Sequence, residues 1–152
     1  MKLYLDNCCY NRPYDDQTQE RIHLEGEAVL AIINKYKQND NEIIGSPVLD
    51  MEIEQIRNIE KQEEVRNFYE ETINRKIGYN LDILKCVKEL SEQSNIRTLD
   101  RFHLSFAEYA EVDVLLTTDD KFKKACSKLN LNTKVMNPLN FLLEVMGNER
   151  ND

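Results

Sequence analysis

Apolar residues along the chain fall into short continuous runs separated by stretches with helical spacing. Continuous runs at 2–5, 42–46 and 113–117 predict buried strands. The remaining predicted elements are weaker strands at 76–79 and 133–136 and helices over 22–37, twice within 49–75, and over 81–93, 99–110, 121–129 and 138–146. Strands that alternate with helices pair in parallel through crossovers. The pattern therefore predicts an α/β fold, a three-layer doubly wound sandwich around a parallel sheet.

Length and charge restrict what such a domain can do. The 152 residues fit one domain, expected over 1–146 with 147–152 as a frayed C-terminal tail. Asp and Glu outnumber Lys and Arg by 28 to 20, a net charge of −8, which excludes a protein that coats nucleic acid through long-range attraction. Any nucleic-acid contact should be local. The sequence contains neither a signal-peptide core nor a membrane-spanning run, so we expect a cytoplasmic protein without membrane contact.

Carboxylates follow the two clearest predicted strands. Asp6 ends the strand at 2–5, and Asp119 lies two residues beyond the strand at 113–117. The carboxyl ends of parallel strands form the edge of the sheet where ligands bind. Asp100 shares a helix face with His103 and the apolar residues around it, which directs a third carboxylate inward. Each acid taken singly has a simpler explanation as a helix cap or first-turn residue.

A fourth acid is expected after the strand at 42–46, where Asp50, Glu52 and Glu54 compete and spacing does not choose among them. Clustered carboxylates repel, so a shared site implies a cation. Oxygen ligands suit Mg²⁺ or Mn²⁺, and the four cysteines lack the spacing of a zinc site. This chemistry favours hydrolysis of a phosphodiester.

Five segments, in order, resemble the PIN-domain ribonucleases, in particular the toxin-like VapC type. They are Leu3–Asp6, Ser46–Glu52, Leu99–Ala107, Leu115–Phe122 and Val135–Leu139. The most specific is Leu99–Ala107, in which an aspartate is followed after two residues by His, Leu and Ser. The resemblance implies a sheet of about five strands in the order 3-2-1-4-5 and a metal-dependent endoribonuclease that uses Mg²⁺ or Mn²⁺.

The resemblance also assigns roles to the acids. It favours Glu52 over its neighbours and implies that Asp6 and Asp100 bind the principal metal, that Asp119 helps to hold it or a second ion, and that Glu52 orients water or ligates transiently. His103 is expected to pack and form hydrogen bonds rather than act as a base. Weaker candidates for contacts with the RNA substrate are Arg12, Thr117 and Lys121.

The sequence also leaves two alternative functions open and indicates two protein partners. Asn7 and Thr118 depart from the family pattern, which leaves a catalytically silent PIN-like module that binds RNA or protein as the alternative. A phosphatase with a phosphorylated first-strand aspartate needs an acid at the position of Cys8, and we give it little weight. Many members of the family are toxins that a small antitoxin protein inhibits and that often dimerise. An antitoxin and a homodimer are therefore among the expected partners.

Overall fold

Five parallel strands form one sheet flanked by helices in the computed structural model, which describes the backbone of residues 1–151 and the side chains of residues 1–149. The strands are β1 Lys2–Leu5, β2 Glu42–Gly45, β3 Arg75–Lys76, β4 Val114–Leu116 and β5 Lys134–Met136, in the order β3-β2-β1-β4-β5. Leu3 of β1 lies opposite Ile43 and Val114. The predicted α/β class and strand order are confirmed.

Eight helices connect the strands in the described part of the chain. They are α1 Asn7–Asn11, α2 Glu20–Tyr36, α3 Pro47–Glu54, α4 Ile59–Thr72, α5 Leu81–Gln93, α6 Thr98–Tyr109, α7 Asp120–Cys126 and α8 Pro138–Asn151. A 3₁₀ turn at Arg12–Tyr14 follows α1. No helix within residues 1–151 is both long enough and apolar enough to cross a bilayer.

The central strand β1 anchors the core. Leu3, Tyr4 and Leu5 are fully buried, because strands covered on both faces have no side exposed to water. The neighbouring strand β2 ends at Gly45, where a Cβ atom would overlap Tyr69. The missing side chain lets the Tyr69 hydroxyl accept a hydrogen bond from the Ser46 backbone N–H at 3.1 Å. This close approach fixes the end of β2 beside the end of β1.

Several predicted boundaries differ from the structure, by one to three residues at most element ends and more informatively at three places. Residues 7–13, expected only to turn the chain, form α1, because Asp6 caps that helix through the Asn7 N–H. The strand expected at 76–79 is the pair Arg75–Lys76. The last helix does not stop at Met146 but continues to Asn151, and Glu149 pairs with Lys35 of α2. The interaction between these two helices stabilises the extension beyond the predicted end.

Candidate active site

Asp6 and Thr117 lie at the carboxyl ends of the adjacent strands β1 and β4, where they bind each other. The Thr117 hydroxyl donates to Asp6 Oδ2 at 2.8 Å, and the Asn7 N–H donates to Asp6 Oδ1 at 2.7 Å. The Thr117 hydroxyl oxygen also accepts from the Asp119 N–H at 3.1 Å. Both oxygens of the Asp6 carboxylate are therefore held in a fixed orientation, and the loop that carries Asp119 is tied to the same point.

A chain of buried polar side chains joins the ends of β1, β2 and α6. The Tyr4 hydroxyl lies 2.7 Å from Ser46 Oγ and 2.6 Å from His103 Nδ1. On the other side of the fully buried imidazole, Nε2 is hydrogen-bonded to Glu52 and lies 3.6 Å from Asp6 Oδ1. Ligand atoms of Asp6, Glu52 and His103 all lie within 4.8 Å of one another.

Arg97, which no sequence motif indicated, joins Asp100 and Asp119. Arg97 Nη2 lies 3.1 Å from Asp100 Oδ2 and 3.4 Å from Asp119 Oδ2. Asp119 also caps α7 by accepting from the N–H groups of Lys121 and Phe122. Asp100 is buried in the first turn of α6, and the cap position of that helix is Arg97, whose side chain caps no N–H. The Asp100 carboxylate pairs with Arg97 and lines the same cleft as the other acids.

All four predicted acids line one cleft of about 310 Å³. The other residues lining this cleft are Asn7, Cys8, Asn11, Arg12, Asp15 and Arg97. Burial raises the pKa of Asp100, and the nearby charge of Asp6 raises it further while Arg97 lowers it. For His103, burial lowers the pKa, but the Glu52 hydrogen bond and the charges of Asp6 and Asp100 outweigh it, so the pKa is raised. The His103 shift reflects the acids around the imidazole, whereas the Asp100 shift reflects its burial first and the charge of Asp6 second.

The donor atoms in this cleft fit a divalent cation. Asp6, Glu52, Asp100 and Asp119 offer carboxylate oxygens, the ligands that Mg²⁺ and Mn²⁺ prefer. His103 Nε2 lies close to Asp6 and Glu52, but it is engaged in the hydrogen bond with Glu52, so the carboxylates are the ligands that fit the ion. Burial and, after it, the charge of Asp6 raise the pKa of Asp100, and a bound cation would offset both effects. The predicted division of ligand roles among the four acids stays a prediction.

The two acids that competed with Glu52 lie outside the cleft. Asp50 pairs with Lys76, and Glu54 pairs with Arg66 at 2.6 Å. All three acids belong to α3, but a turn of 100° per residue places Asp50 and Glu54 on one side of the helix and Glu52 on the other. The helix geometry thus separates an acid of the cleft from two acids of surface ion pairs.

The weaker candidates for substrate contacts have different surroundings. Arg12 lines the cleft, but its side chain is paired with Glu25 at 3.0 Å and Asp15 at 3.1 Å. Thr117 is buried and its hydroxyl is used by Asp6 and Asp119. Lys121 is exposed and lines a second cavity beside Asp100. A substrate contact by any of the three stays a prediction, and Lys121 is the most accessible of them.

Three residues of the site were missed by the sequence reasoning. Arg97 stands three positions before Asp100, a spacing at which charged side chains meet on a helix, and this signal could have found it. Tyr4 lies in an apolar run, so nothing distinguished its hydroxyl. Cys8 Sγ lies 3.4 Å from Asp6 Oδ2 and accepts from the Thr118 N–H at 3.3 Å. The turn of α1 that produces this contact was not predicted.

Comparisons with known proteins reveal the fold but no relative in sequence. Neither a protein-family model nor a curated protein sequence matches this chain. A solved structure that does match is the 2.2 Å resolution structure of VapBC-1 from nontypeable Haemophilus influenzae, with a TM-score of 0.59 and 16% sequence identity. The match covers 91% of this chain and 98% of that chain. Together with the strand order 3-2-1-4-5, this likeness shows that the chain has a PIN-like fold.

Proposed function

We propose that this protein is a divalent-metal-dependent endoribonuclease. The observation that carries the proposal is the convergence of Asp6, Glu52, Asp100 and Asp119 on one cleft at the carboxyl edge of the sheet. Asp6 and Asp100 are buried although their charges repel. Burial of repelling carboxylates lowers stability and is not expected in a purely structural site. A cation site offsets that cost and has a use in catalysis.

The carboxylates would hold the cation, with Asp6 and Asp100 as principal ligands and Asp119 in support. A bound Mg²⁺ or Mn²⁺ supplies positive charge for the developing oxyanion and lowers the pKa of a water molecule. Glu52 would orient a water molecule for the attack. Because an ionised carboxylate only accepts hydrogen bonds, His103 Nε2–H would donate the hydrogen bond that joins it to Glu52. Tyr4 fixes the other ring nitrogen, so the imidazole positions Glu52.

The proposed substrate is RNA, and the proposed biological setting is a toxin–antitoxin pair. The likeness to the VapBC-1 structure and the motif at Leu99–Ala107 support this setting. A small antitoxin protein and a second copy of this chain are the proposed partners. The net charge of −8 favours a local contact with the phosphodiester at the cleft over a broad basic surface.

Cleavage of generic single-stranded RNA by highly purified protein tests the proposal. We expect cleavage in Mn²⁺ or Mg²⁺, loss of cleavage on chelation, and loss in Asp6→Asn. Asp50→Asn is the matched control, since it removes one carboxylate from an ion pair outside the cleft, and it should stay active. Cleavage that persists in Asp6→Asn, or in a chelator, contradicts the proposal. RNA binding without cleavage by the intact protein favours the catalytically silent module.

A further inference from the structure

Arg97 occupies the side of the cleft between Asp100 and Asp119. Its guanidinium group lies within 3.4 Å of one oxygen of each carboxylate. The charges of Asp100 and, more weakly, Asp119 and Asp6 raise the pKa of Arg97. The arginine thus neutralises part of the acidic cluster with a group that belongs to the chain itself.

The ion pair between Arg97 and Asp100 can break at a low cost in free energy. The Arg97 side chain is 77% exposed, whereas that of Asp100 is 10% exposed. Ion pairs with one partner in water contribute little, because solvent replaces the interaction when the long side chain moves. The buried carboxylate stays where the fold holds it, and the arginine is free to leave.

A divalent cation and the guanidinium group would compete for the carboxylates of Asp100 and Asp119, each of which has one oxygen, Oδ2, in contact with Arg97. Both are attracted by the same excess of negative charge, and mutual repulsion between the two cations disfavours simultaneous occupancy. Binding of a divalent ion should therefore displace Arg97 from these two oxygens.

A displaced Arg97 would remain at the mouth of the cleft. The residue lines both the acidic cleft and an adjoining cavity of about 290 Å³ that Lys121 and Asn95 also line. The planar guanidinium group, with its fixed set of N–H donors, suits the non-bridging oxygens of a phosphodiester. The backbone of Arg97 is fixed at the start of α6, which keeps the freed side chain within reach of a substrate that enters either cavity.

We infer that Arg97 exchanges partners: it pairs with Asp100 and Asp119 in the metal-free protein and binds a phosphate of the RNA substrate when a divalent cation holds the carboxylates. This inference rests on the proposed nuclease function and adds a substrate-binding residue to it. It also makes the arginine an internal competitor that weakens metal binding in the absence of RNA.

Calorimetric titration with Mn²⁺, in the absence of RNA, tests the first half of the exchange. Arg97→Gln should bind Mn²⁺ about threefold to fivefold more tightly than the intact protein, the factor that corresponds to loss of one exposed ion pair. Lys121→Gln is the matched control because it removes a positive charge that borders the same cavity but has no ion pair with Asp100 or Asp119 among the described side chains. Its Mn²⁺ affinity should change less than about twofold, because exposed charges are screened.

Steady-state RNA cleavage at saturating Mn²⁺ tests the second half. Arg97→Gln should raise KM for RNA with a smaller effect on kcat. Arg97→Lys keeps the charge but not the planar fork, so its KM should lie between those of the intact protein and Arg97→Gln. A structural role in capping α6 would not produce tighter Mn²⁺ binding together with a higher KM.

The outcomes separate this inference from the proposed function. If the intact protein binds no Mn²⁺ and cleaves no RNA, the proposed function itself fails. If it binds Mn²⁺ and cleaves RNA, but Arg97→Gln matches Lys121→Gln in Mn²⁺ affinity or leaves KM unchanged, the nuclease assignment stands and the exchange is overturned. Tighter Mn²⁺ binding and a raised KM in the same variant support it.

Discussion

Two regions of this molecule bury carboxylates, and they compensate the charge in opposite ways. Glu25 of α2 is fully buried, with Arg12 at 3.0 Å, Arg21 at 3.2 Å and the Asn137 amide at 2.6 Å from its oxygens. The surrounding acids are also paired: Arg21 reaches Asp120 at 2.9 Å and Lys61 reaches Asp15 at 2.5 Å. These side chains form the Glu25 cluster, in which three acids (Glu25, Asp15 and Asp120) pair with three cations (Arg12, Arg21 and Lys61).

The acidic cleft lacks this balance. Among the described side chains, those within ion-pair distance of its four acids are the exposed Arg97 and His103. The Glu25 cluster joins α2 to the 3₁₀ turn, the start of α7 and the exit of β5, a structural task that the chain completes with its own charges. The cleft leaves negative charge uncompensated, which is useful where an ion must bind. This difference in charge balance supports a structural role for Glu25 and the proposed functional role for the acids of the cleft.

Removal of a carboxylate from the cleft should produce the largest effect, and the effect should be on activity. Asp6→Asn and Asp100→Asn keep the side-chain shape but remove charge from the proposed metal site, so each should abolish cleavage. Stability should be unchanged or higher, because repulsion is lost. The double variant should be scarcely worse than either single variant, since the two residues act as one unit.

Rates and urea midpoints measured side by side check this expectation. If Asp100→Asn unfolds the protein while Asp6→Asn stays active, Asp100 is a structural residue and the cleft has been misassigned.

Removal of the buried carboxylate from the Glu25 cluster should instead affect stability. Glu25→Gln leaves Arg12 with only Asp15 and Arg21 with only Asp120 as charged partners, and it turns an amide N–H₂ toward one of the surrounding donors. We expect a loss of about 2–3 kcal/mol in the free energy of unfolding, at or below the usual cost of breaking a buried pair because both arginines reach solvent.

Glu27→Gln is the matched control for this change, because it alters an exposed acid on the same helix. It should change the free energy of unfolding by less than about 0.5 kcal/mol. Urea denaturation measures both variants, and equal stability of Glu25→Gln and Glu27→Gln would mean that the Glu25 cluster does not hold these elements together.

Substitution of His103 should affect both stability and activity, because the residue is buried like a structural residue and faces the cleft. Its predicted packing and hydrogen bonding are confirmed by its burial and by contacts at both ring nitrogens. His103→Gln should cost about 1–2 kcal/mol of stability, because hydrogen bonds to Tyr4 and Glu52 are disturbed. The metal-dependent rate should fall less than in Asp6→Asn.

Tyr4→Phe provides the comparison for His103, because it removes one hydroxyl from the same chain of hydrogen bonds without touching an acid. A His103→Gln protein with unchanged stability and no activity, beside an active Asp6→Asn, would require a histidine-based mechanism.

More of the fold than of the candidate site could be predicted from the sequence. β1 and β4 were predictable because their apolar runs are buried on both faces, and the helices because their apolar residues recur with helical spacing. β3 consists of the exposed pair Arg75–Lys76, and α1 has five residues without periodicity, so neither left a pattern that fixes its bounds.

The acids of the site were predictable because they follow strand ends or lie on an inward helix face. The choice of Glu52 needed family resemblance, since its neighbours differ only in the side of α3 that they occupy. The three-residue spacing to Asp100 could have indicated Arg97, whereas Glu25 could not be assigned a role from spacing alone. Glu25 lies three residues after Ile22 in the apolar stripe of α2, but its partners Arg12 and Asn137 come from distant parts of the chain.

The most direct test of the contrast between the two regions is the melting temperature of three proteins measured with and without Mn²⁺. A cation at one hundred times its Kd stabilises the folded state by about 2.7 kcal/mol. The intact protein should therefore melt higher in millimolar Mn²⁺, Glu25→Gln should melt lower but gain a similar increment, and Asp6→Asn should gain none. An intact protein that Mn²⁺ leaves unmoved, or an Asp6→Asn protein that gains as much as the intact one, would contradict a metal site at the acidic cleft.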